Sequence, residues 1–90
     1  MPTDKRIHPD DLLGVILGNR ELQMYGLAKQ LFSYAKEKRL LDGKFIEMDE
    51  ALKAINKETP DNKQVHGNKP ETFQVIKMFW GYIKKKNLFK

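Results

Sequence analysis

Residues 25–41, YGLAKQLFSYAKEKRLL, and residues 73–89, FQVIKMFWGYIKKKNLF, carry one pattern twice, 48 positions apart. Lys29 matches Lys77, Tyr34 matches Tyr82, and Lys36, Lys38 and Leu40 match Lys84, Lys86 and Leu88, five identities in 17 positions. Most other positions exchange like for like: Leu31 for Phe79, Phe32 for Trp80, Leu41 for Phe89. A repeat of this period outranks local propensity as a guide to architecture. Two copies are too few for a solenoid, so they predict a small domain of two related halves.

Each copy reads as an amphipathic helix. In the first, Met24, Leu27, Ala28, Leu31 and Ala35 recur at helical spacing, and Lys29, Lys36 and Lys38 lie off that stripe, which predicts a helix over 22–39. In the second, Glu71 and Thr72 start a helix whose stripe is Phe73, Ile76, Phe79, Trp80 and Ile83. Lys84, Lys85 and Lys86 close it, where cations suit the negative end of the helix dipole.

Working outward, residues 1–4 read as frayed and 5–8 as a short extended piece. Pro9, Asp10 and Asp11 then start a short helix, since aspartates cap free N–H groups there. Leu12, Leu13, Val15, Ile16 and Leu17 are too many apolar residues for an exposed face, so this helix is expected to be buried, ending at Gly18 and Asn19. Asp42 and Gly43 signal a turn, 44–47 a short strand, and Asp49 with Glu50 a second short helix through Ile55. Here a second repeat emerges at an offset of 39: Lys5 with Lys44, Ile7 with Ile46, Asp10 with Asp49, Leu13 with Leu52, Ile16 with Ile55. The unit is therefore strand, short acid-capped helix, long helix. Residues 56–70, NKETPDNKQVHGNKP, form a longer connection in the second unit and read as a mobile polar surface loop. The expected fold is mainly α with a minor two-stranded β element, the 5–8 and 44–47 strands pairing with each other, in a single domain over 1–90.

Composition sets limits. Ninety residues suffice for one modest core, and 40% hydrophobic with 32% charged residues is a globular balance. The absence of cysteine removes disulfide and thiolate chemistry and fits a reducing, intracellular setting, cytoplasmic, nucleoid or nuclear. No apolar run approaches the ~18 residues of a membrane span, and the polar, acidic start MPTDKRIHPDD argues against a targeting peptide. The net charge of +5 is uneven: residues 1–60 hold ten basic and ten acidic side chains, residues 61–90 seven and two. A local basic face of this kind suits nucleic acid or an acidic partner, and equally a set of solubilising lysines at a helix end.

The run LLGVILG at 12–18, the helix end FSYAKEKRLLD at 32–42, the segment IEMDEAL at 46–52 and a second amphipathic helix opening on Phe73 together resemble a SWIB domain. The resemblance covers about residues 8–55 and 73–84. It departs in the longer link before the last helix, in Phe32 where tryptophan is usual, and in Met24 where an arginine is common. The family's fold is related to the tumour-suppressor-binding domain of a ubiquitin ligase, which receives a peptide between its two long helices. Carried over position by position, the resemblance implies a groove lined by Ala28, Phe32, Ala35, Lys36 and Leu41 and by Phe73, Ile76, Phe79 and Trp80, in a chromatin or transcription-related setting. Lys36 stands where the peptide-binding relative has an apolar residue, which favours an acidic partner or closes the pocket. Most of these residues also fit a plain core reading, Phe79 and Ile76 foremost.

Enzyme signatures are thin. His8 and His66 have no partner at metal-ligand spacing, Asp10, Asp11, Asp49 and Glu50 are explained as caps, and Ser33 has nothing beside it to activate it. No cofactor or metal site is expected. Each long helix does carry surplus aromatic surface, Phe32 and Tyr34 in one and Trp80 and Tyr82 in the other, which suits a cleft for an amphipathic helix. The expectation is thus a non-enzymatic adaptor docking an amphipathic or acidic peptide, with no membrane contact. The alternative is a small basic DNA-binding protein using Lys77, Lys84, Lys85, Lys86 and Lys90, with the loop lysines Lys63 and Lys69, on phosphates, largely without sequence preference.

Overall fold

Two aspartates open the two short helices. Asp10 is extended (φ −83°, ψ −174°), accepts the Leu13 N–H at 2.9 Å and precedes α1, Asp11–Leu17. Asp49 repeats the geometry (φ −83°, ψ −176°), accepts the Leu52 N–H at 2.9 Å and precedes α3, Glu50–Glu58. Each carboxylate satisfies a donor that has no partner within the helix and opposes the positive end of its dipole. The computed structural model of the chain describes residues 5–90; the frayed ends expected at 1–4 lie outside them.

The long helices are α2, Gly26–Glu37, and α4, Thr72–Lys85. They finish alike. Arg39 (φ 59°) and Asn87 (φ 57°) turn left-handed. Their N–H groups then reach Lys36 and Lys84 carbonyls, both at 3.2 Å, while Leu40 N–H reaches the Ala35 carbonyl at 2.8 Å and Leu88 N–H that of Ile83 at 2.9 Å. This six-to-one and five-to-two closure satisfies carbonyls that the helix end would leave open. α2 is shorter than the 22–39 expected. Leu22 is extended and exchanges hydrogen bonds with the fully buried Ile7, at 2.7 and 3.0 Å, because a buried strand backbone must find partners.

A small antiparallel sheet joins β1, Leu41–Asp42, to β2, Phe45–Ile46, with Leu41 opposite Ile46 and Asp42 opposite Phe45. Gly43 takes φ 61° in the tight turn between them. The two extended pieces therefore do not pair with each other as expected. Residues 44–47 fold back on the end of α2, Glu47 N–H meeting the Leu40 carbonyl at 2.9 Å. Ile7 bridges Leu22 and Phe89, with His8 N–H on the Leu88 carbonyl at 2.7 Å. Each strand thus finds the chain that leaves a long helix, and β2 does so across a two-residue turn that costs little closure entropy.

A single apolar cluster runs from Ile7 to Ile83. α2 contributes Leu27, Leu31 and Ala35; α4 contributes Val75, Met78, Phe79, Tyr82 and Ile83. The stripe on α4 is thus turned from the expected one: Phe73 is 53% exposed, and Ile76 and Trp80 only flank the core. Thr72 sets this angle, since its N–H and its Oγ1 both donate to the Lys44 carbonyl, at 2.8 and 3.0 Å, and dock the helix start on the hairpin. On α1, Leu13, Ile16 and Leu17 are buried while Val15 points outward.

The 56–70 segment is tied down at several points. α3 continues through it to Glu58, past the expected end at Ile55, and a 3-10 turn follows at Asp61–Lys63. The Asn56 amide accepts the Val65 N–H at 2.9 Å and donates to the Val65 carbonyl at 3.0 Å. Thr59, 2% exposed, donates to the Ile55 carbonyl at 2.7 Å. Gly81 allows the segment to lie close: a Cβ there would stand 2.7 Å from Lys63 Cβ and 3.3 Å from Thr59 Cγ2.

Two phenols brace the helix caps. Tyr82 on α4 donates to Asp10 Oδ2 at 2.6 Å, and Tyr34 on α2 donates to Asp49 Oδ2. Each cap carboxylate thus serves its own short helix with one oxygen and a distant long helix with the other. Burial, then the bond and charge of the aspartate, raises both phenol pKa values well above the ordinary range.

Candidate functional site

The nine residues implied for the groove fall into three groups. Ala35 and Phe79 are fully buried in the core. Ala28, Leu41, Ile76 and Trp80 are half-buried at its edge, and Lys36 is exposed. Phe32 and Phe73 stand out, 44% and 53% exposed. The halves differ at matching positions. Trp80 is half-buried and meets Phe89 edge-on, centroids 5.4 Å apart and planes at 89°. The equivalents Phe32 and Leu41 lack a second aromatic ring, and Phe32 stays open to solvent beside Lys36.

Of the lysines expected to face nucleic acid, the five from Lys77 to Lys90 are dispersed in their bonding. Lys85 donates to the Glu58 carbonyl at 2.9 Å, and Lys86 pairs with the Glu58 carboxylate at 3.3 Å, an exposed contact of small energetic weight. Lys77 lies over the Phe73 ring, 4.8 Å from its centroid. Lys90 exchanges backbone hydrogen bonds with Arg6 at 2.6 and 3.0 Å, and the Lys5 ammonium sits 5.9 Å from the Phe89 ring. Lys84 and Lys90 are exposed and, among the described residues, in no ion pair.

Two depressions stand out on the surface. One, of about 360 Å³, opens between the 62–66 stretch and the start of α4. Lys63, Gln64 and His66 form one side, and Phe73, Gln74 and Lys77 the other. Its lining contains no carboxylate. The other, of about 260 Å³, lies between α1 and α2 and is bordered by Val15, Gly18, Ser33 and Glu37. The sequence singles out Lys63 and Lys77 as lysines that suit phosphate, but not that they meet at one depression, and it places His66 only in a polar connection. A further local signal is the spacing of Phe73 and Lys77, one helical turn apart.

Among the described residues no group of three His, Cys, Asp or Glu could hold a metal ion. His8 Nδ1 lies 3.6 Å from Glu21, and His66 stands at the rim of the larger depression. Lys69 and Asp42 pair at 2.5 Å; their hydrogen bond and mutual charge lower the carboxyl pKa and raise that of the ammonium. Among the described residues no helix is long and apolar enough to cross a membrane. Compared with family models, characterised proteins and solved structures, the chain matches none.

Proposed function

We propose that the chain is a non-enzymatic interaction adaptor of the SWIB kind, docking an amphipathic or acidic partner peptide inside the cell, in a DNA-associated or transcription-related setting. The reading includes two pseudo-symmetric strand, short helix, long helix halves. Paired contacts at the two sequence offsets support that symmetry. The cap bonds of Asp10 and Asp49, the phenol bonds of Tyr82 and Tyr34, and the left-handed turns at Arg39 and Asn87 come in matched sets. The observation that carries the docking reading is Phe32, 44% exposed where its counterpart Trp80 is half-buried against Phe89. An aromatic side chain left open on α2, with half-buried Ala28 one turn before it and Lys36 one turn on, suits an apolar anchor flanked by an acidic residue.

A display library of amphipathic helical peptides tests this. Wild type should enrich acidic members with an apolar anchor, and Phe32→Ala should lose them with an unchanged circular dichroism spectrum. Enrichment indifferent to Phe32→Ala, or no enrichment at all, would refute the reading. Exposed Lys84 and Lys90 favour the second reading, a small basic DNA-binding protein. That one requires duplex affinity that falls steeply with salt and weakens in Lys84→Gln.

A further inference from the structure

We infer that the 360 Å³ depression between residues 62–66 and α4 is a nucleotide site, taking the base and phosphate of a free nucleotide or of one unit in a single strand. It shares Lys77 with the duplex contacts considered above and Phe73 with the implied groove, but contains none of Phe32, Lys84 or Lys90, on which those readings are tested, so its failure can be told apart from theirs.

Three features converge there. The first is charge: Lys63 and Lys77 border the depression, no carboxylate does, and neither lysine is in an ion pair among the described residues. Two cations with no carboxylate beside them suit an anion, and phosphate is a common partner of lysine. The second is a stacking surface. Phe73 is 53% exposed within the site, and the Lys77 ammonium lies 4.8 Å from its centroid. A base stacked on that ring brings its own phosphate within reach of a cation, the pairing that single-strand binders use. The third is a set of amides. Asn62 and Gln74 offer the donor and acceptor pairs that match base edges.

The site is also held in place. Asn56 clasps Val65 from behind by two hydrogen bonds, Gln64 Nε2 donates to the Thr59 carbonyl at 3.0 Å, and Gly81 lets the 59–63 stretch lie against α4. The volume is at the small end of the ~300–1,000 Å³ typical of ligand sites, the scale of one nucleotide rather than a helix. An acidic peptide would meet the same lysines, but peptide grooves use a row of apolar anchors. Here the apolar lining is Phe73 and the 7%-exposed Val65.

Fluorescence anisotropy on the full chain tests the assignment with four labelled probes: a short single-stranded oligonucleotide, its duplex, adenosine monophosphate and an oligoglutamate. The single strand should bind more tightly than the duplex. Phe73→Ala should weaken it roughly 5- to 100-fold, and Lys77→Gln should lower its logarithmic salt slope by about 0.7. Lys53→Gln, on exposed α3 surface, should change little. Comparable binding of the monophosphate would identify a free nucleotide as the source, and binding of the oligonucleotide alone a strand. Duplex preference, tighter binding of oligoglutamate, or single-strand affinity unmoved by Phe73→Ala and Lys77→Gln would overturn the inference. Because Phe73 is exposed, circular dichroism should show a folded chain in the variant.

Discussion

Replacing Tyr82 by phenylalanine removes one oxygen from the molecule and isolates the bond from that hydroxyl to Asp10 Oδ2, 2.6 Å long. The ring is 2% exposed and stays packed. A hydrogen bond to a charged acceptor contributes about 1.5–3 kcal/mol. Asp10 is only half-buried, so water partly replaces the lost donor, and the expected loss is about 1–2 kcal/mol. In a domain of this size that lowers Tm by roughly 4–16 °C. Asp10→Ala should cost more, because it also removes the cap to Leu13, and the double variant should show a coupling of about 1 kcal/mol. pH provides an independent arm. Burial and Asp10 raise the Tyr82 pKa above the ordinary value of about 10, so above that pH the unfolded chain loses its proton before the folded one. The stability is therefore fully present below pH ~10 and declines above it, by about 1.36 kcal/mol per pH unit for each such phenol. Tyr34 adds a second. The gap between wild type and Tyr82→Phe should accordingly narrow as pH rises past ~10. Urea unfolding followed by circular dichroism reads all of this. A loss under ~0.5 kcal/mol at neutral pH, with no coupling to Asp10→Ala, would refute the brace.

Two glycines make opposite predictions. Gly81→Ala puts a methyl 2.7 Å from Lys63 Cβ, which cannot swing aside, and should destabilise by about 1–2 kcal/mol although alanine is the better helix former. Gly14→Ala meets only the terminal oxygen of exposed Asn19, at 2.5 Å, and should stabilise by up to ~1 kcal/mol once that amide rotates; equal signs in chemical denaturation would count against the packing argument. Arg39 holds φ 59° at a helix end where glycine is the usual solution, so Arg39→Gly should raise stability by roughly 0.5–1 kcal/mol. Asn87→Gly, starting from a residue that tolerates this conformation, should gain less, and thermal melts showing the reverse order would contradict the strain assigned to Arg39.

Some of this architecture was legible in the chain and some was not. Asp10 and Asp49 announced their helices because capping is a local contest between a carboxylate and an unpaired N–H, decided within four residues. The start of α2 was misplaced because Leu22 fits a helical stripe as well as a strand; its pairing with Ile7, fifteen residues away, chose the strand. Periodicity puts Phe73 on the apolar stripe of the last helix and the resemblance puts it in a groove; the docking of Thr72 on Lys44 leaves it exposed. The groove candidates suffered the same ambiguity: Ala35 and Phe32 are three residues apart on one helix, yet one is sealed and the other open.

The sequence by itself determined that four helices and a minor sheet would form, and that two tyrosines and two capping aspartates would recur at fixed offsets. Those features depend on period, caps and turn chemistry, which act over a turn or two of chain. Only the tertiary structure decided that each tyrosine would brace the opposite cap, and that Lys63 and Lys77, fourteen residues apart, would border one carboxylate-free depression beside an open aromatic ring. Such pairings rest on where packed helices cross and how closely a glycine lets them approach, and composition along the chain does not encode that distance.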